Sequence, residues 1–425
     1  MLDIKFIREN SDLVKNAVKV KKLESTVDID EILKLDRNYA EILKRVEDHR
    51  GLKNELSNTI SKLTGEEKEK LISEATGVKN ELGILEAKLK ELRIKLNEML
   101  LWVPNPPATD VPVGNGEEDN IVVRKEGRTP TFDFKVSDHL DLGINLGIIN
   151  TGRGAKIGGF RGYFLKNDGV ELEKALLNYA TDFIRSKGFD FFTVPWTVKP
   201  QYLVGTGYFP WGEEDHYKNQ DGMVLIGTAE VSLTSYYAGE VLEEKDLPIK
   251  LAGISPCFRR EVGSYGKDTR GIFRVHQFTK VEQVVLLPEG EELSREWHEK
   301  MLGHAEELLK NLELPYQILL MCSADMGAGQ RKKYDIETWF PFQNKYRETH
   351  SDSYFLDFQS RRLNIKYRNS NGKLRYVSTL NNTVVATPRL LATVLENYQQ
   401  KDGSVKVPKV LQKYIGKKVI KAVSN

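Results

Sequence analysis

The chain has 425 residues, with 63 Lys and Arg against 61 Asp and Glu and 40% hydrophobic residues, the composition of an ordinary globular protein. Collagen-like, mucin-like and wholly disordered chains are excluded, and the length suits two or three domains. A net charge of +2 gives no general field for nucleic acid, so any RNA contact has to come from local patches.

The opening MLDIKFIREN mixes acid and base without an apolar segment, so no secretory signal is expected. No run of about 18 apolar residues occurs, so no membrane-spanning helix is expected and the cytosol is the expected compartment. Cys257 and Cys322 lie far apart with no CxxC spacing, which builds neither a disulfide framework nor a cysteine-rich zinc site.

After residue 27 the texture turns to charged helix formers with almost no Pro or Gly as far as Met99. Leu35, Tyr39, Ile42, Val46, His49, Lys53, Leu56, Ile60 and Leu63 step by four and three, and Val78, Leu82, Leu85, Leu89, Leu92, Leu96 and Met99 repeat the pattern. That is the spacing of a coiled coil. Gly65 interrupts it, which predicts an antiparallel helical hairpin with limbs on the order of 45 Å long. Its polar positions carry Lys34, Arg37, Lys44, Arg45, Arg50 and Lys53, then Lys79, Lys88, Lys90, Arg93 and Lys95, interleaved with acids. Such a face can grip a phosphate backbone, and it equally suits a solvated spacer or a dimerisation zipper.

Three prolines within Pro104-Asn105-Pro106-Pro107 end the arm and mark a domain boundary. Beyond about residue 120, short β-rich runs (121–123, 191–194, 223–226, 281–287) alternate with helices predicted at 169–187, 290–312 and 388–399. The order suits an α+β fold, an antiparallel or mixed sheet with helices packed on it. Gly152, Gly154, Gly158 and Gly159 approximate a nucleotide loop, but the spacing is wrong and Tyr163-Phe164-Leu165 reads as a strand where such a loop needs a helix.

The segment from Ser255 to Glu282 concentrates Arg259, Arg260, Arg270, Arg274 and Lys280 beside Glu261 and Glu282, with Phe258, Phe273 and Phe278 interleaved. Two β-like runs flanking a Gly-Ser-Tyr-Gly-Lys-Asp loop present guanidinium forks of the kind a triphosphate needs, and Phe278 can stack on a base. A surface hairpin rich in ion pairs is the plainer alternative. Further on, Thr387 can cap a helix that Pro388 begins, which sets Arg389 in a first turn that already favours anions. Glu348 and Ser351 offer a carboxylate and a hydroxyl three residues apart, a pair able to hold magnesium through oxygen.

The order of these blocks resembles a class II aminoacyl-tRNA synthetase, with FRRE to KVE as its second motif, TPR and the following helix as its third, and GFDFFTVPWTVKP around Pro195 as its first. The hairpin arm, EEDN at 117–120, TAEV at 228–231, RVHQF at 274–278, RRLNIKY at 361–367, TLNNT at 379–383 and LENYQ at 395–399 are similar to the seryl-tRNA synthetase family over essentially the whole chain. The resemblance implies an antiparallel class II sheet flanked by helices. It also implies an N-terminal tRNA-binding domain over 1–103, with its arm at about 28–100, and a catalytic domain over 104–425.

It further implies ATP-dependent activation of L-serine and its transfer to tRNA(Ser), by a homodimer; whether tRNA(Sec) is also charged stays open. Arg259 would touch the α-phosphate and the serine carboxylate, Glu261 the adenine amino group, and Phe278 the ring. Arg274 and Arg389 would hold the β- and γ-phosphates, and Glu348 and Ser351 would ligate Mg2+. Thr228, Glu230 and Glu282 would surround the ammonium and hydroxyl groups of serine, with Thr383 or Asn381 closing on its side chain. No zinc is expected, Cys257 and Cys322 read as structural, and His276 and His350 read as supports of the fold and not bases. Two rivals share the fold, a paralogue that loads a carrier protein and a scaffold without activity. The long arm argues against the first, and the retained Arg259, Glu261, Glu282, Glu348 and Arg389 against the second.

Overall fold

A computed structural model describes all residues except 263–265, 267 and 423–425. The chain divides into two compact units, Met1–Pro106 and Pro107–Asn425.

In the first unit, two short helices (Ile4–Glu9 and Ser11–Val20) precede the long helices α1 (Ile29–Ile60) and α2 (Glu66–Leu101). Asp28 caps α1 by accepting from the Asp30 and Glu31 amides at 2.8 and 3.1 Å, which satisfies two of its orphan donors. Gly65 turns the chain back at φ +76°, a conformation that a Cβ would strain. The seam between the limbs is apolar, with Ile42, Val46, Leu82 and Leu85 buried and Leu89 and Leu92 beside them. Arg45–Glu81 at 3.1 Å and Arg50–Glu86 at 2.6 Å flank it. The heptad reading locates this seam, but Lys53 is exposed, since a lysine that reaches the stripe keeps its ammonium in water. Asp36 is buried instead, held by Arg8 at 2.5 and 3.0 Å.

The second unit is built on an eight-stranded sheet, with β1 (Ile121–Glu126), β2 (Asp190–Thr193), β3 (Ile249–Phe258), β4 (Gln277–Leu287), β5 (Tyr316–Leu320), β6 (Lys332–Phe340), β7 (Lys345–Leu356) and β8 (Ser378–Ala386). Their order is β1-β5-β6-β7-β8-β4-β3-β2, antiparallel except for β2 against β3. Helices α3 (Asp168–Ser186) and α4 (Glu291–Asn311) pack on the central strands, and α5 (Thr387–Asn397) follows β8 directly. Alternation along β4 divides the two faces. Val281, Val285 and Leu287 enter the large core with α3, α4 and α5, while Val284 and Leu286 join a smaller cluster on the other face with Leu203, Val231 and Leu363. Phe278, Lys280 and Glu282 share the parity of that second face, which is where the chain leaves a cavity.

The glycine-rich segment that fails as a nucleotide loop is itself a helix, Thr151–Gly158, followed by the short strand Phe164–Leu165. Among the described residues no helix is long and apolar enough to cross a membrane.

Candidate active site

The register of β3, β4, β8 and β7 assembles the site. Gly253 lies opposite Glu282, Glu282 opposite Thr383, and Ser353 opposite Asn381. Side chains distant in sequence therefore emerge side by side on one face. They line a cavity of about 450 Å³, a size common for small-molecule sites. Of the twelve residues singled out from sequence, eleven line it: Glu230, Arg259, Glu261, Arg274, Phe278, Glu282, Glu348, Ser351, Asn381, Thr383 and Arg389. The twelfth, Thr228, is buried outside the lining, where its hydroxyl accepts from the Glu230 amide at 3.2 Å. The predicted loop between β3 and β4 falls mostly on 263–265 and 267, outside the described residues.

One end of the cavity gathers cations. Arg259 follows β3, its amide donating to the His276 carbonyl at 3.0 Å while His276 Nδ1 meets the Arg259 carbonyl at 3.0 Å. Its guanidinium lies 5.4 Å from the Phe278 ring centre and donates to the Gly227 carbonyl at 3.3 Å. Arg274 donates to Glu261 at 2.7 Å, and Arg389 pairs with Glu348 at 3.0 Å. Burial alone would raise the Glu348 carboxyl, but Arg389, Lys333 and Arg259 prevail and hold it near 2, firmly ionised. Arg389 sits in the first turn of α5 as expected, with Pro388 before it. The cap differs: α5 begins at Thr387, with Ala386 at the cap position, because the Thr387 hydroxyl donates to Glu173 at 2.8 Å instead of turning to the helix amides.

The other end is acidic and buried. Glu282 is buried against Lys280 in a close ion pair. Glu230 is buried too, and accepts from the Tyr208 hydroxyl at 2.6 Å and the Gln359 amide at 2.8 Å. Burial raises both carboxyls, that of Glu230 to about 7, where Glu282 adds to the rise and Tyr208, Gln359 and Lys280 oppose it. Asn381 and Thr383 stand alongside on β8.

Tyr208, Lys333, Arg347 and Gln359 belong to this environment and escape the sequence reading. Lys333 pairs with Asp335 at 2.9 Å and helps keep Glu348 ionised. Arg347 stacks 4.2 Å from the Phe273 ring centre and pairs with Asp268 at 2.7 Å. None of these four sits in a local pattern that marks it; only the register and the packing of helices on the sheet bring them in. His350 is buried between Val384 O at 3.2 Å and Thr349 Oγ1 at 2.9 Å, and burial lowers its pKa to about 4, so it serves the fold. Cys257 and Cys322 are both free and buried.

Glu348 and Ser351 on β7 supply two hard oxygen donors to the cavity, a carboxylate fixed in its charged form and a hydroxyl. That donor set fits Mg2+, which takes one or two protein oxygens and completes its shell with phosphates and water. Among the described residues no group of three or more His, Cys, Asp or Glu could hold a metal by itself.

Comparison with known proteins agrees with this geometry. Residues 1–107 match the seryl-tRNA synthetase N-terminal domain, and residues 213–398 match the tRNA synthetase class II core domain (G, H, P, S and T). A serine–tRNA ligase of Deinococcus radiodurans is 45% identical over 98% of each chain. The seryl-tRNA synthetase of Pyrococcus horikoshii, solved in complex with ATP, superposes with a TM-score of 0.94 at 41% identity over 100% of both chains. The cytoplasmic serine–tRNA ligase of Naegleria fowleri, solved in complex with AMP, gives 0.89 at 30% identity, covering 100% of this chain and 99% of that one.

Proposed function

The chain belongs to the seryl-tRNA synthetase family and is a serine–tRNA ligase, and on that premise we propose how its cavity activates serine with ATP and delivers it to tRNA. The observation that carries the proposal is the polarity of the cavity, with Arg259, Arg274 and Arg389 at one end and Glu230 and Glu282 at the other. A triphosphate suits the first, and the ammonium and hydroxyl groups of serine the second.

From the cationic end Arg259 also acts on Tyr208 and Glu282, so its guanidinium contacts both the serine carboxylate and the α-phosphate and offsets the repulsion of the anions that must meet. Arg274 and Arg389 take the outer phosphates, exchanging Glu261 and Glu348 for stronger anions. Phe278 stacks on the adenine and Glu261 accepts from its amino group. The serine carboxylate attacks the α-phosphorus and pyrophosphate leaves; the terminal ribose hydroxyl of the tRNA then attacks the carbonyl of the adenylate, the anhydride C–O bond breaks, and AMP leaves as the hydroxyl gives up its proton. No side-chain nucleophile is needed, and orientation with charge neutralisation carries the rate. Glu348 and Ser351 would hold Mg2+, which when bound neutralises phosphate charge. Glu230, Glu282, Thr228, Asn381 and Thr383 select serine, because alanine would leave buried polar groups unpaired.

We assign tRNA recognition to residues 1–103 through the solvated Lys34, Arg37, Lys44, Lys79, Lys88, Lys90 and Arg93 of the arm. A cytoplasmic homodimer that charges tRNA(Ser), with tRNA(Sec) as a second acceptor to be tested, completes the reading. Pyrophosphate exchange with each of the twenty amino acids, followed by charging of total tRNA, tests it. Serine should be the one amino acid that responds and should be charged; exchange with serine but no charging would transfer the assignment to a carrier-loading enzyme.

A further inference from the structure

We infer that Tyr208 and Gln359 are positioning residues for serine, holding the Glu230 carboxylate in place through neutral donors so that its charge stays available to the substrate ammonium. The inference rests on the assignment of Glu230 to the serine end of the cavity and adds two residues that touch Glu230 from separate elements.

Both oxygens of the Glu230 carboxylate are held. Tyr208 follows the helix Pro200–Thr206 and donates to Glu230 Oε2 at 2.6 Å, its ring set edge-on to His216 at 5.7 Å. Gln359, on the helix Phe358–Leu363, donates through Nε2 to Glu230 Oε1 at 2.8 Å and to the Thr206 carbonyl at 3.0 Å. Its Oε1 accepts from the Thr379 hydroxyl at 2.6 Å. Turning this amide over would set its carbonyl against both the carboxylate and the Thr206 carbonyl, so its orientation is locked. The Glu230 amide donates to Thr228 Oγ1 at 3.2 Å, which ties the backbone to the same cluster.

The chemistry of the holders matters as much as their position. Glu282 already has a cation, Lys280, against it, whereas Glu230 has only a phenol and an amide. A lysine or arginine in either place would cancel the charge that attracts the ligand; neutral dipoles orient the carboxylate without setting a cation against it. The titratable and charged groups facing this cluster are Tyr208 and His216 on one side, Lys280 and Glu282 on β4, and Arg259 after β3. Burial brings the Glu230 carboxyl to about 7, so its ionisation falls within the range where the enzyme can be assayed. Each donor favours the ionised form, and removing one moves the midpoint further up.

The test is serine-dependent pyrophosphate exchange by the full-length protein between pH 6 and 9, for wild type, Tyr208→Phe, Gln359→Leu and Glu230→Gln. KM for serine should rise in the wild type as pH falls through about 7. In Tyr208→Phe it should rise about tenfold at neutral pH, the size expected for one hydrogen bond to a charged group. The midpoint of kcat/KM should move upward, with kcat at saturating serine and KM for ATP within about twofold. Gln359→Leu should change KM for serine in the same direction, and Glu230→Gln should raise it and flatten the pH profile. If Glu230→Gln leaves KM for serine unchanged, the assignment of Glu230 and the present inference both fall. If Glu230→Gln raises KM while Tyr208→Phe changes neither KM nor the midpoint, or changes kcat and KM for ATP as much, the positioning role alone is overturned.

Discussion

Arg259 shows how a residue legible from its motif gains meaning from its surroundings. FRRE announces a guanidinium, but the contacts with Phe278, Gly227 and His276 explain why it points across the cavity. Arg259→Ala should lower serine-dependent pyrophosphate exchange on the order of a hundredfold or more while leaving the fold intact, and near-normal exchange would remove it from the mechanism. Asp352 is the opposite case, silent in the sequence and unusual in the fold. It is fully buried with neither carboxylate oxygen hydrogen-bonded, and His298 Nε2 stands 3.6 Å from Oδ2. Burial, reinforced by Glu299 and Glu282 and opposed by Lys332, pushes its pKa well above the usual carboxylate range. The folded chain thus keeps a proton that the unfolded chain releases above about pH 3.9, and stability falls as pH rises from there toward the folded pKa. Asp352→Asn removes that cost. Its melting temperature should exceed that of the wild type by roughly 2–4 °C at neutral pH, and the gain should vanish near pH 3 to 4. A constant difference across pH would rule out the proton as the cause.

At the scale of elements, the hairpin and α5 mark what pattern can and cannot tell. The arm was legible because a repeat sustained over many turns leaves few alternatives for its buried side. Of the positions in that repeat Ile42, Val46, Leu56, Leu82, Leu85 and Leu96 are buried, and spacing alone does not separate them from Lys53 or His49. Leu82→Ala should cost the arm about 2–4 kcal/mol, read as faster amide exchange in α1 and α2 with pyrophosphate exchange unaffected. Equal loss of protection in the catalytic sheet would contradict this. For α5, the sequence indicated Pro388 and Arg389 correctly but misassigned the cap, since a hydroxyl beside a helix start cannot be known to have another acceptor, here Glu173, until the chain is folded. Gln359 and Tyr208 were unreadable for the same reason: their partners lie 129 and 22 residues away.

For the molecule as a whole, the two compact units make the proposed division of labour testable by removing one of them. A chain in which residues 30–100 are replaced by a short Gly-Ser linker should retain serine-dependent pyrophosphate exchange within about threefold and lose tRNA charging. Undiminished charging would reduce the arm to a spacer. The register of the sheet carries a consequence of another kind. Phe278, Lys280 and Glu282 face the cavity because they stand at even intervals on β4, with Val281 between them and Val285 beyond them turned to the core. The active centre is therefore written in parity. A chemically conservative exchange on β4 alters one letter, but the gain or loss of a single residue between Gln277 and Glu282 inverts every later one, sending valines into the cavity and charges into the core. Over evolutionary time this strand should accumulate substitutions and almost never a gap of odd length.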